Sequence, residues 1–165
     1  MPFCKLIAKL NLSQLGDNAP IGKKMTTQIL VIDDDIAITE LMSMLLKTHG
    51  FDVVTTNSGA DGVKLAEEKR PDAILLDLMM PDMDGWQVCK SIRAFSNAPI
   101  LVLSAVNDPR MVATVLDSGA DDFLVKPVPS SVLVAHIRKM VRRTDVLNSP
   151  EEKKIKLPNT APLLS

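Results

Sequence analysis

Five short β-rich runs, each followed by a stretch of helical period, constrain this chain more than any other feature. They are Ile29 to Ile32, Val53 to Thr56, Ala73 to Leu76, Ile100 to Leu103 and Phe123 to Val125. Strands that are apolar throughout instead of alternating are buried on both faces, which implies a parallel sheet sandwiched by helices. Helical stretches between them supply the crossovers, and right-handed connections through five βα units favour strand order 2-1-3-4-5. The fold class expected is α/β, a flavodoxin-like (βα)5 three-layer sandwich with a five-stranded parallel sheet. In the first helix Ile38, Leu41, Met42, Leu45 and Leu46 read as the buried stripe, with Gly50 as its stop. In the last, Leu133, Ile137, Met140 and Val141 face inward, while Arg138, Lys139, Arg142 and Arg143 face water.

The 165 residues hold one ordinary domain, placed at residues 27–143, with extensions on each side. Residues 1–26 read as a disordered leader or as an over-called start upstream of Met25. Phe3, Leu6, Ile7 and Leu10 also permit a short amphipathic helix for docking. Residues 144–165, with three prolines and a charge run from Glu151 to Lys154, read as a disordered tail or linker. A formal net charge of −1 provides no global field toward nucleic acid or an anionic membrane. Cys4 and Cys89 form neither a disulfide framework nor a zinc motif, and Cys89 shares a helix face with Val88 and Ile92, as a core residue would. No apolar run approaches a membrane span, so a cytoplasmic protein is expected.

Polar residues close four of the runs: Asp33, Asp34 and Asp35 after the first, Asp77 after the third, Ser104 after the fourth and Lys126 after the fifth. Alone, each has an ordinary reading as a helix cap or a solvated side chain. Open parallel sheets bind ligands beyond the carboxyl ends of their strands, however, and all four positions lie there. Carboxylates at about 4 Å repel by about 4 kcal/mol at an effective dielectric near about 20. A divalent cation and Lys126 would remove that penalty. Mg2+ takes hard oxygen ligands and leaves room for phosphate, so one carboxylate could act as nucleophile toward phosphorus while Lys126 and Ser104 meet its equatorial oxygens.

The segments "VIDDD", "LLDLMMPDMDGWQVC", "ILVLSA" and "GADDFLVKP" resemble the receiver domain of two-component response regulators over about Thr27 to Arg143. The resemblance is closest to the winged-helix transcription-regulator class, whose motif separations also match. It implies a phosphoacceptor switch in phosphorelay signal transduction, fed by a histidine kinase or phosphotransfer protein. Asp77 is then the phosphoacceptor, with Asp33, Asp34, Asp77 and the Met79 backbone carbonyl as ligands for Mg2+, or Mn2+ in its place. Ser104 and Phe123 are implied as the switch pair and Lys126 as the phosphoryl-binding cation, with Lys126 and Pro127 joined cis. Asp35 reads better as an N-cap, and Gly85 as serving the turn after Asp77.

Such a protein is no enzyme beyond assisting its own phosphorylation and dephosphorylation. A stand-alone receiver with an unknown output partner is expected, since no effector domain follows; the alternative is the receiver part of a truncated DNA-binding regulator. Neither nucleic acid nor membrane is an expected partner of the chain itself. Asp121, Asp122 and Arg138 resemble half of a charged dimer face built from the fourth helix, fifth strand and fifth helix. Met111 and Val112 depart from it, leaving an apolar partner surface as an equal reading. Asp33 and Asp35 also form an Asp-x-Asp pair of the haloacid-dehalogenase-like phosphatase kind, with Asp33 as nucleophile, but Ala37 stands where that family has threonine and no cap insertion is present.

Overall fold

Every β-rich run becomes a strand of one parallel sheet, and every helical stretch packs on one of its faces. The structure, a computed structural model, describes residues 26–147, with side chains through residue 143. The chain runs β1 (Gln28–Ile32), α1 (Ile36–Thr48), β2 (Asp52–Thr56), α2 (Gly59–Lys69), β3 (Ala73–Asp77), α3 (Gly85–Arg93), β4 (Ile100–Ser104), α4 (Pro109–Asp117), β5 (Asp122–Val125) and α5 (Ser130–Leu147). All four strand pairings are parallel and the order is β2-β1-β3-β4-β5, as expected.

Period-two geometry sends alternate side chains of each strand to opposite faces. Leu30, Ile32, Ile74, Leu76, Ile100 and Val102 pack with α2, α3 and α4, whereas Ile29, Val31, Ala73, Leu75, Leu101 and Leu103 pack with α1 and α5. The central strands β3 and β4 are buried at every position. The edge strands β2 and β5 are only partly covered, and Val125 is exposed. Each fully buried aliphatic side chain contributes about 1.5–3 kcal/mol, so the continuous central runs carry most of the sheet's stability.

Local signals place the helix ends. The Asp35 Oδ1 accepts from the amides of Ala37 at 2.8 Å and Ile38 at 3.3 Å, which makes it the cap of α1. Gly50, at φ +86, closes that helix in the left-handed conformation that favours glycine. One member of the expected α1 stripe is misplaced. Leu41 is 57% exposed, because at 100° per residue it lies with Ala37 and Met44 on the outer side; Thr39 fills the inner face instead. The Thr39 hydroxyl is satisfied by the Ile36 carbonyl and the Asn57 amide.

The α5 face matches the reading, with Leu133, Ile137 and Met140 buried and Val141 packed against them. This helix continues to Leu147, four residues beyond the boundary that composition suggested. The apolar pattern of residues 3–10, the rest of the leader through residue 25, and residues 148–165 lie outside the described residues. Cys89 is fully buried, and burial pushes its thiol up to about 11, as suits an inert core residue.

Candidate functional site

The register that aligns Leu76 with Ile32 and Val102, and Ser104 with Val125, brings four polar strand ends to one edge of the sheet. Asp77 and Ser104 are the last residues of β3 and β4, whereas Asp33 and Lys126 directly follow β1 and β5. The Lys126 Nζ donates to Asp33 Oδ2 and to Asp77 Oδ1, each at 2.7 Å. Asp33 Oδ1 accepts from the Asp35 amide at 3.0 Å, and Asp77 Oδ2 from the Met79 amide at 2.8 Å. Both carboxylates are therefore fully engaged by donors while nearly out of water.

Ser104 is completely buried, with its Oγ accepting from the Val106 amide at 3.1 Å; its carbonyl accepts from the Lys126 amide at 2.8 Å. That second bond ties the two strand ends together. Lys126 and Pro127 are joined cis. Phe123 is half-buried in β5 against the α2–α3–α4 layer. Asp34 points to solvent at the bend after β1, beside the site but outside the Lys126 clamp.

Burial raises the Asp77 carboxyl above its ordinary value, with Asp33 adding to it, even though Lys126 and the Met79 amide pull the other way. For Lys126 burial favours the neutral amine, but its two carboxylate partners outweigh burial and raise it above the usual range. The site therefore combines a firmly charged ammonium with a carboxylate whose charge is costly to hold. An added cation would relieve that cost.

Hard oxygens from Asp33, Asp77 and the neighbouring Asp34 suit Mg2+, which takes few carboxylates and keeps several waters. They are not gathered into a finished cage: among the described residues no three carboxylate, histidine or cysteine side chains stand arranged around one metal position. Lys126 instead occupies the space between the two buried carboxylates.

Three supporting residues escape a motif-based reading. The Asn57 side chain donates to the Asp33 carbonyl at 2.8 Å, and Asp82 accepts from Ser58 and Gly59 at the start of α2. Arg93 donates to the carbonyls of Ser96, Ala98 and Gly119 and to the Asp121 carboxylate. Asn57 and Asp82 signal only turns in the sequence, and Arg93 only a polar helix face. Gly85 matters for a different reason from the one expected: a Cβ there would lie 2.5 Å from the Asp77 carbonyl oxygen, so close approach of α3 demands it, with no left-handed turn involved.

The sequence profile of the response regulator receiver domain matches residues 29–138. The chain belongs to the response regulator receiver family. AfsQ1 of Streptomyces coelicolor, a transcriptional regulatory protein, is 48% identical over 115 residues, covering 70% of this chain and 51% of AfsQ1. The DNA-binding response regulator MtrA of Mycobacterium tuberculosis is 42% identical over 121 residues, covering 73% of this chain and 53% of MtrA. The receiver chain thus spans about half the length of these relatives. Among solved structures, the BeF3-activated N-terminal receiver domain of Klebsiella pneumoniae RstA has a TM-score of 0.68 at 30% identity, covering 70% of this chain and 99% of that one. Vibrio cholerae CheY4, a chemotaxis protein, has a TM-score of 0.67 at 29% identity, covering 70% and 98%. This is accordingly a receiver domain of the two-component response regulators, with the flavodoxin-like architecture the strand pattern implied.

Proposed function

We propose that this receiver takes a phosphoryl group onto Asp77 from a histidine kinase or phosphotransfer protein and signals through a conformational change read by a partner. The observation that carries this is the Lys126 clamp, one ammonium held 2.7 Å from the oxygens of both Asp33 and Asp77 at the carboxyl ends of the strands. An Asp77 oxygen attacks phosphorus, the bond from phosphorus to the donor's imidazole nitrogen breaks, and its electron pair stays on that nitrogen. Lys126 has three N–H donors and uses two on carboxylates, leaving the third for a phosphoryl oxygen. The Ser104 hydroxyl hydrogen can serve another once its loop moves inward.

Asp33, Asp34, Asp77 and the Met79 carbonyl would hold Mg2+, with Mn2+ as a substitute. The bound ion supplies charge neutralisation on the phosphoryl oxygens. Within this reading the chain turns over no substrate of its own. Inward motion of Ser104 vacates space for Phe123, so β5 and α4 relay the change.

The test is phosphorylation by acetyl phosphate with Mg2+, followed by borohydride trapping and peptide mapping. Label on Asp77, absent from Asp77→Asn, supports the proposal. Label on Asp33 with repeated turnover would overturn it in favour of a phosphatase. The latter has little support, since Asp33 is tied to Lys126 and Asp35 caps α1.

A second reading, that this receiver serves a DNA-binding regulator, draws on AfsQ1 and MtrA, whose other halves lie outside the match. Extending the encoding frame past Ser165 tests it. A homodimer through α4, β5 and α5 would have an apolar centre: Asp121 pairs with Arg93 and Asp122 with His136 inside one chain, and Leu116, Val125 and Val132 are exposed. A cytoplasmic location agrees with a histidine-kinase donor. No described helix is long and apolar enough to cross a membrane.

A further inference from the structure

Two loops carry the oxygens of the site, one after β1 with Asp33 and Asp34, the other after β3 with Met79. Both are fastened to the same short turn between β2 and α2. On one side, Asn57 Nδ2 donates to the Asp33 carbonyl at 2.8 Å and to Thr39 Oγ1 at 3.1 Å. On the other, Asp82 Oδ2 accepts from Ser58 Oγ at 2.8 Å and from the Gly59 amide at 2.9 Å. The packing agrees with the hydrogen bonds: a Cβ on Gly59 would lie 2.9 Å from Val88 and 3.1 Å from Met83, so the start of α2 is pressed directly against the β3–α3 segment.

We propose that Asp82 is a positioning residue for phosphorylation, acting through the Ser58–Gly59 turn to hold the Met79 loop in register with Asp33 and Asp34. This rests on the phosphoacceptor reading above. Asp82 contacts neither the Lys126 clamp nor Asp77, so its effect is transmitted through the backbone. Its charge suits the place, because an anion at a helix N-terminus is stabilised by unpaired amides and the dipole. The Ser58 hydrogen bond, chiefly, holds its carboxyl below the ordinary range. At the far end of the same loop, Gly85 packs on Asp77 and its amide donates to the Leu78 carbonyl at 2.9 Å. Releasing Asp82 would therefore free the middle of the loop while its ends stay anchored.

A residue that only caps α2 would alter stability; one that sets the loop would alter the demand for metal. The experiment titrates MgCl2 against the full chain, following the single tryptophan, Trp86 near the start of α3, and the initial rate of labelling by acetyl phosphate. Asp82→Ala is expected to raise the half-saturating Mg2+ concentration about tenfold, while the rate at saturating Mg2+ changes far less. Asp82→Asn keeps an oxygen acceptor for Ser58 and Gly59 and should fall between it and the parent chain. Arg93→Lys, remote from the loop, serves as a control for lost stability without a shift in Mg2+ demand. Unchanged half-saturation in Asp82→Ala overturns the proposal, whatever happens to its melting temperature; if that variant does not fold, unchanged half-saturation in Asp82→Asn does so. A parent chain that shows neither labelling nor a Mg2+ response overturns the phosphoacceptor reading itself, and the role of Asp82 with it.

Discussion

Gly85 lies so close to the end of β3 that a side chain there would meet the backbone of Asp77: a Cβ would stand 2.5 Å from the Asp77 carbonyl oxygen and 2.8 Å from the Leu78 Cα. Neither neighbour is a flexible side chain that could swing away. Gly85→Ala must push α3 off the sheet, costing about 1–3 kcal/mol. Denaturant unfolding should show the loss, and labelling of Asp77 should slow with it. An alanine variant as stable as the parent would contradict this close packing.

Removing the ammonium has a different signature from removing a carboxylate. Lys126→Met leaves two buried carboxylates facing each other, and should cost about 1–3 kcal/mol at neutral pH and slow phosphorylation about a hundredfold. The folded Lys126 titrates above 10.5, so its contribution is complete below that pH and is lost as pH rises through the folded value. The stability gap between parent and variant should hold steady near pH 7 and narrow above about pH 10.5.

Asp77→Asn should melt about 3 °C higher than the parent at pH 7 without Mg2+. Burial raises the folded Asp77 above 3.8, so this group favours the folded state at low pH and ceases to do so as pH rises through its folded value. At neutral pH its charge is a cost carried for function. The advantage of asparagine should fade as the pH falls through the folded value of Asp77 and be gone well below 3.8, where the side chain is protonated in the folded and unfolded states alike. Thermal melts across pH read this directly.

Arg93 joins the end of α3 to the turn before β5, donating to Gly119 at 2.8 Å, Ala98 at 2.7 Å, Ser96 at 3.1 Å and Asp121 at 2.6 Å. A lysine cannot reproduce that planar fork. Arg93→Lys should therefore destabilise by about 1–2 kcal/mol, nearly as much as Arg93→Ala, in denaturant unfolding. Full rescue by lysine would mean that charge alone matters.

Beryllofluoride with Mg2+ should move the amide resonances of Ser104, Val106 and Phe123 while leaving residues at the amino ends of the strands, such as Asp52 and Val53, largely unchanged. Ser104 is buried at the end of β4 and Phe123 is half-buried in the neighbouring strand, so the two can move together. A spectrum unaltered at saturating reagent would remove the switch from the mechanism.

The sequence alone determined the strands, the sheet order and which residues could meet at its carboxyl edge; burial on both faces held for the central strands, whereas β2 and β5 are left partly open as the sheet edges. Apolar runs without alternation leave few arrangements other than a covered parallel sheet, and right-handed crossovers limit their order. Asp35 as a cap and Gly50 as a stop were legible because those effects act within a few residues. The exposure of Leu41 was not, since a stripe of five apolar residues fits the helix wider than the face that the sheet can cover. Nor could local pattern show that Lys126 bridges Asp33 and Asp77, that Gly85 is required by contact with a strand, or that Asp82 reaches across to Ser58 and Gly59. Each of these depends on the distance between segments far apart in the chain, and only packing of the helices against the finished sheet fixes such distances.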